Sequence, residues 1–215
     1  MTQNTIPTTN AAGANSPAWD ENLARWISLL TTPTLLILIG FGLIAKSIGT
    51  PNAWYWAGLY SVITVLLPTI YIIRKVKLGE ITDFHIQVRE QRKRPLLMIL
   101  VLSIVGWLVM YLGSAPLPLL IFAGVGIFQI AFLFAITLRW KISGHSTVAS
   151  GFALFFYAVY GGYAALFLLL IPIVAWARIR RNRHELTQTI AGSIAGIAYI
   201  LTVLFLLHRS GFLVR

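Results

Sequence analysis

KISGHS at residues 141–146 and RIRRNRHELTQ at residues 178–188 enclose a long segment that is almost wholly apolar. Each end carries a histidine beside basic residues, His145 in the first stretch and His184 in the second. An apolar segment of this length predicts two membrane helices that form a hairpin. Polar groups at the edge of a bilayer are costly, so they are expected to have a partner or a task. The pattern therefore predicts a pair of histidines at the ends of a hydrophobic hairpin.

The composition of the 215-residue chain is that of an integral membrane protein. Hydrophobic residues make up 58% and charged residues 11%, whereas soluble proteins carry about 25% charged residues. The sequence predicts an all-α, polytopic membrane helix bundle. It contains no cysteine, which excludes disulfides and thiolate chemistry. The net charge of +11 comes from basic residues near predicted helix ends, which favours anionic lipid head groups and a phosphate substrate as partners over nucleic acid.

Seven apolar segments are predicted to cross the membrane, and two of them are short for a span of ~20 residues. The segments cover residues 25–46, 53–73, 96–112, 116–138, 146–159, 163–176 and 185–207, and the fifth and sixth are the short ones. Residues 1–21, which are rich in Thr, Asn, Ala, Ser and Pro, are predicted to form a disordered tail. Residues 22–215 are predicted to form one membrane domain. Gly192, Ser193 and Gly196 have the spacing of small residues at a close helix contact.

The long basic connection at residues 74–95 is predicted to be an amphipathic helix along the head groups or an irregular loop. With seven crossings, this connection and the turns at 139–145 and 178–184 fall on the same face of the membrane. Fourteen of the seventeen Lys and Arg residues lie on that face. The positive-inside rule therefore predicts that the N-terminus and this face are cytoplasmic, in the plasma (inner) membrane.

These residues suit the hydrolysis of a phosphate ester, which needs a nucleophile, a proton donor and positive charge around the phosphate. His184 is the predicted nucleophile, because a helix N-terminus follows it and favours an anion. His145 is the predicted general acid for the leaving group and later the base for water. The predicted phosphate ligands are Arg178, Arg94, Ser143, the amide of Gly144, and Lys141.

The same residues carry a resemblance to a known family. Ser143-Gly144-His145 is similar to the second signature, Pro-Ser-Gly-His, of the type-2 phosphatidic acid phosphatase superfamily, which includes lipid phosphatases and vanadium haloperoxidases. Arg178, five residues and His184 resemble its third signature, which is Ser-Arg, five residues, His, three residues and Asp. Arg94-Pro95 resembles half of the first signature, Lys, six residues and Arg-Pro. The resemblance covers about residues 83–196 and implies the same roles without a metal or other cofactor.

The chain departs from the family pattern at several positions. Ile142 replaces the proline and Ala177 the serine. Gln188 stands where the family has the aspartate that orients the nucleophile, and is predicted to hold the ring of His184 through its amide oxygen but to add no charge, which predicts slower chemistry. Gln87 stands where the lysine is expected, and its role is predicted to fall to a nearby cation, namely Arg89, Arg92 or Lys93.

Two functions follow as alternatives. The first is a lipid phosphatase that forms a phosphohistidine and acts on prenyl mono- or diphosphates, phosphatidic acid or phosphatidylglycerol phosphate, with the lipid tail in the bilayer. The second is a weakened or inactive relative that serves as an anionic-lipid-binding or structural membrane subunit. A transporter is less favoured, because no acidic or basic residue lies in the middle of a predicted helix. The oligomeric state is left open.

Overall fold

The computed structural model describes residues 19–83, 86 and 88–209, except for the side chain of Leu207. Every regular element in that part of the chain is helical, which confirms the all-α bundle. The α-helices are α1 (Trp19–Leu30), α2 (Pro33–Ile48), α3 (Pro51–Ser61), α4 (Leu67–Lys77), α5 (Arg89–Leu112), α6 (Leu117–Thr137), α7 (Gly144–Tyr160), α8 (Leu170–Arg180) and α9 (Leu186–Arg209). A π-helical segment (Val62–Leu66) joins α3 to α4, and a 3₁₀ segment (Gly162–Leu169) precedes α8.

Five helical stretches within the described residues are long and apolar enough to cross a membrane. They are Pro51–Lys77, Arg89–Leu112, Leu117–Thr137, Gly162–Arg180 and Leu186–Leu206. Helices α1 and α2 would make a sixth only as a pair bent by 53°. The remaining predicted segment corresponds to α7, which has 17 residues and is shorter than the ~20 needed for a full span. The polytopic bundle is confirmed, and the fifth segment is short as predicted, whereas the sixth corresponds to the stretch Gly162–Arg180, which is long enough to cross.

The prediction of one helix over residues 25–46 is wrong, because the chain breaks between α1 and α2. Pro33 begins α2, where its missing N–H and fixed φ are tolerated. The hydroxyl of Thr32 accepts a hydrogen bond from the N–H of Leu35 at 3.3 Å and so caps the new helix. Helix α1 also includes residues 19–21 of the predicted tail, and residues 1–18 lie outside the described part.

Helix α1 is amphipathic and packs against α8. Ala24 and Ser28 are buried, and the carboxylate of Asp20 accepts two hydrogen bonds from Arg180, at 2.7 and 3.2 Å. The opposite side of α1 exposes a stripe of large apolar side chains: Trp19, Leu23, Trp26 and Leu30. This arrangement is typical of a helix in the membrane interface, and the contact with Arg180 puts α1 at the end of the bundle where α8 terminates.

The irregular part of the basic connection is shorter than predicted. Helix α4 continues to Lys77 and α5 begins at Arg89, so both ends of the 74–95 connection are helical. Arginine, lysine, glutamine and glutamate are good helix formers, which explains why the polar residues 89–94 form the first turns of α5. His85 and Gln87 lie outside the described residues.

Helices α7 and α9 are in backbone contact, as the small-residue spacing predicted. A methyl group at Gly196 would overlap the Ser150 hydroxyl and the Thr147 carbonyl, and one at Gly192 would lie 2.7 Å from the Ser143 carbonyl oxygen. The N–H of Ser143 donates a hydrogen bond of 3.1 Å to the carbonyl of Gln188. This contact fixes the start of α7 against the start of α9, next to both histidines of interest.

Candidate anion-binding site

His145 and His184 line the same cavity, which has a volume of about 270 Å³. Arg92 from α5, Gly144 from α7 and Arg178 from α8 line it as well. The three segments that the sequence placed on one face of the membrane therefore meet at one end of the bundle.

The ring of His184 is held in a fixed orientation. His184 lies in the connection between α8 and α9 and is only 7% exposed. Its Nδ1 lies 3.0 Å from Oε1 of Gln188, four residues later. An amide oxygen only accepts hydrogen bonds, so Nδ1–H is the donor and Nε2 carries the lone pair. Gln188 thus occupies the orienting position predicted from the sequence.

The same imidazole is neutral at physiological pH. Burial lowers the pKa of His184 to about 4, and the positive charges of Arg178, Arg92 and Lys141 add to this effect. The hydrogen bond to Gln188 acts in the opposite direction and is too weak to offset burial. Because the pKa lies below the ordinary value of about 6.5, the unprotonated and nucleophilic form is present at neutral pH.

Arg178 is the strongest indication of an anion site. The residue is 3% exposed, and its Nε and Nη1 atoms are buried with no hydrogen-bond acceptor in the part of the chain described. A buried guanidinium without a compensating partner is costly, so proteins rarely keep one without a bound anion. The last turn of α8 holds this group in the wall of the cavity that also contains His184.

On α5 the structure brings Arg92 to the cavity and not Arg94. The guanidinium of Arg92 donates hydrogen bonds to the carbonyls of Ile86, at 2.6 Å, and Ile142, at 3.4 Å, which hold it in the cavity wall. Arg94 is exposed and lines a shallow outer groove with Leu97, Met98, Val101 and Leu102. Residues two apart on an α-helix point about 200° apart, so only one of the two arginines can face the site. The prediction that Arg94 contacts the phosphate does not fit this geometry.

Ser143 and Gly144, which were both predicted to bind phosphate, have different roles in the structure. Ser143 is fully buried, and its hydroxyl accepts hydrogen bonds from the N–H of Ser146, at 3.3 Å, and from the Ser146 hydroxyl, at 2.9 Å. Ser143 is therefore the N-cap of α7. Gly144, the first residue of that helix, does line the cavity.

Two further predicted ligands, Lys141 and Arg89, lie near the site but outside the cavity lining. Lys141 is half-buried in the turn before α7, and burial lowers its pKa, with a further decrease from the charges of Arg92 and Arg178. Arg89 donates a hydrogen bond to the carbonyl of Arg139 and pairs with Glu90 at 3.0 Å. Arg89 thus braces the start of α5 against the α6–α7 turn and lies outside the cavity lining.

The sequence indicated Arg92 only as one of three cations that could replace the missing lysine, and it did not indicate the depth of the cavity. The position of Arg92 on an otherwise apolar face of α5 was readable, because Pro95, Leu96 and Ile99 follow it at helical spacing and share that face. The depth of the cavity was not readable from the sequence, because helices that are apolar all round carry no pattern that separates a cavity wall from a lipid-facing surface.

The fold and the site define an all-α, polytopic membrane protein with a buried cavity that is lined by two histidines and two arginines. Over the residues described, no three histidine or carboxylate side chains come together as potential metal ligands. Comparisons of the chain with protein-family models, with curated proteins and with solved structures find no match.

The titration of His184 tests this arrangement. We expect the imidazole to titrate near pH 4. Replacing Gln188 by glutamate keeps the side-chain length and puts a negative charge beside Nδ1–H, which should raise the pKa by about one to three pH units. NMR of the labelled rings in nanodiscs measures both values. An ordinary pKa for His184 in the wild type would show that its ring is solvated and outside a buried site.

Proposed function

We propose that this protein is a membrane lipid phosphatase that forms a phosphohistidine on His184. The observation that carries the proposal is the buried guanidinium of Arg178, without an acceptor in the described residues, beside a neutral imidazole oriented by Gln188. A phosphate group would accept hydrogen bonds from the guanidinium and react with the imidazole. The resemblance of residues 143–145 and 178–184 to the type-2 phosphatidic acid phosphatase superfamily supports the same function.

The proposed reaction has two steps. In the first, Nε2 of His184 attacks phosphorus, the bond between phosphorus and the ester oxygen breaks, and protonated His145 gives its proton to the leaving oxygen. In the second, neutral His145 takes a proton from water, the oxygen of which attacks phosphorus and releases inorganic phosphate and His184. Arg178, Arg92 and Lys141 would stabilise the negative charge on the phosphoryl oxygens in both steps.

The proposed substrates are lipids with an exposed phosphate: prenyl mono- or diphosphates, phosphatidic acid or phosphatidylglycerol phosphate. The excess of Lys and Arg on the face of the site supports a cytoplasmic orientation in the plasma membrane. The site would then take lipids from the cytoplasmic leaflet.

A second candidate is an anionic-lipid-binding protein without turnover. The neutral Gln188 favours it, because an amide does not stabilise the imidazolium that forms when the ring accepts charge. Under this alternative the wild type would bind lipid phosphates and release no phosphate from any of them.

Phosphate release in nanodiscs, measured on a panel of these lipids, decides between the candidates. We expect His184→Ala to lower turnover by about 10³-fold or more and His145→Ala by about 10²–10⁴-fold. His208→Ala is the matched control, since His208 is exposed at the other end of α9. Turnover that survives His184→Ala would rule out the proposed nucleophile, and an inactive wild type on every lipid would favour the second candidate.

A further inference from the structure

The cavity extends well beyond the basic site, and we propose that its inner part is a channel for one hydrocarbon chain. The substrate would then be a phosphate ester or diphosphate on a single chain, and not a diacyl lipid. The proposal rests on the proposed function for the phosphate end. It differs from the expectation that the lipid tail lies in the bilayer, because it places the tail inside the helix bundle.

The walls of the channel are apolar. They include Leu36 of α2, Ile99 of α5, Leu133 of α6, Val148 and Phe155 of α7, and Ile200 of α9. Several polar residues in the wall are satisfied by backbone carbonyls. Thr64 donates to Tyr60, Thr137 to Leu133, and Gln129 to Thr147, at 2.8, 2.7 and 3.0 Å. The surface that these groups leave for a ligand suits hydrocarbon and not a second polar group.

The depth of the channel matches one leaflet of a bilayer. From His145 to Phe155 along α7, both of which line the cavity, ten residues at 1.5 Å each span about 15 Å. The hydrocarbon core of a bilayer is about 30 Å thick, so the channel extends from the interface to about the midplane. A chain whose phosphate lies at His184 would therefore keep its ordinary depth in the membrane.

An aromatic cluster stands at the deep end of the channel. The ring of Phe122 lies 5.0 Å from that of Phe41 and 5.3 Å from that of Phe155, and Phe41 lies 4.7 Å from Tyr60. All four residues line the cavity. Such rings pack densely and set an end to the space that a chain can fill.

The volume distinguishes one chain from two. The whole cavity, which includes the phosphate end, has a volume of about 270 Å³. Pockets that enclose drug-sized ligands usually have volumes of about 300–1,000 Å³. The cavity lies just below this range, so it has room for one chain at most, and the second chain of a diacyl lipid would have to lie outside it.

Gly126 provides a direct test, because it lines the cavity and a Cβ atom there would have no atom within 4 Å. A leucine at this position would enter the open channel. Gly58 is the matched control, since it is also helical with no atom within 4 Å of an added Cβ, but it is exposed on the outside of α3.

The experiment measures binding in phosphatidylcholine nanodiscs, in a His184→Ala background that prevents turnover. The ligands are inorganic phosphate, dodecyl phosphate, farnesyl phosphate and a diacyl phosphatidic acid. We expect each single-chain phosphate to bind at least about tenfold more tightly than inorganic phosphate and than the diacyl lipid, because only a single chain adds apolar burial in the channel. Gly126→Leu should remove this advantage, and Gly58→Leu should retain it.

Equal affinity for the diacyl lipid and the single-chain phosphates, or an unchanged advantage in Gly126→Leu, would overturn the channel. If Gly126→Leu does not fold, the comparison of the four ligands in the His184→Ala protein still tests the channel. Single-chain phosphates that bind tightly but are not hydrolysed by the wild type would refute the phosphatase and leave the channel standing. Hydrolysis of diacyl and single-chain lipids at equal rates would support the phosphatase and overturn the channel.

Discussion

Replacing Arg178 by glutamine should lower phosphate-ester turnover by about 10²–10³-fold, because it removes a preorganised positive charge from the site. Arg178 is 3% exposed, and its Nε and Nη1 have no acceptor among the described residues, so these two N–H groups are available to a substrate. Glutamine is neutral and hydrogen-bonds through fewer N–H groups. The loss should appear in the turnover number and in the affinity for inorganic phosphate or vanadate, which measures ligand binding without chemistry.

Arg94→Gln is the matched control for this variant. Arg94 is an arginine on the same basic face of the membrane, but it is exposed in the outer groove of α5. We expect its replacement to change turnover by less than about twofold, as for a surface charge. If Arg94→Gln were as damaging as Arg178→Gln, the first signature of the family would apply as the sequence predicted, and the arrangement of α5 described above would be wrong.

Gly196→Ala should be strongly destabilising, although alanine is the better helix former. The added methyl group would overlap the Ser150 hydroxyl and the Thr147 carbonyl and would lie 3.1 Å from the backbone nitrogen of Gly151. Two of these atoms are backbone, so the strain is relieved only if α7 and α9 separate. Overpacking of this kind costs about 1–3 kcal/mol, and we expect the upper end of that range.

Gly58→Ala separates this steric effect from helix propensity. Its Cβ would meet no atom within 4 Å, so the substitution should be neutral or stabilising by about 0.5–1 kcal/mol. Thermal unfolding of both variants in the same detergent compares them. A Gly196→Ala protein as stable as Gly58→Ala would show that α7 and α9 are not in backbone contact, and the position of His145 relative to His184 would lose its basis.

Part of the site was predictable because it depends on residues that are close together in the sequence. The Ser-Gly-His stretch, the interval from Arg178 to His184 and the position of Gln188 depend on spacing within one turn or helix start. The glycines at 192 and 196 likewise follow from a helical period. His145, Arg178 and His184 line one cavity, Gln188 contacts His184, and the two glycines contact α7, whereas Ser143 caps α7.

The features that the sequence did not reveal depend on tertiary packing. Arg92 and not Arg94 faces the cavity because of how α5 is rotated against its neighbours, and the carbonyls of Ile86 and Ile142 then hold the Arg92 side chain. The break before Pro33 fell inside one predicted span, because the segments on both sides of it are rich in apolar residues. The apolar channel arises from the gaps between helices, which no single segment encodes.

The identity of the phosphorylated residue tests the central claim most directly. Acid-labile, alkali-stable label from a ³²P-phosphate lipid, mapped by mass spectrometry after rapid quenching, should lie on His184 alone and should be absent from His184→Ala. Turnover with no such label, or with label on another residue, would contradict the account of one anion pocket built around a neutral, oriented imidazole.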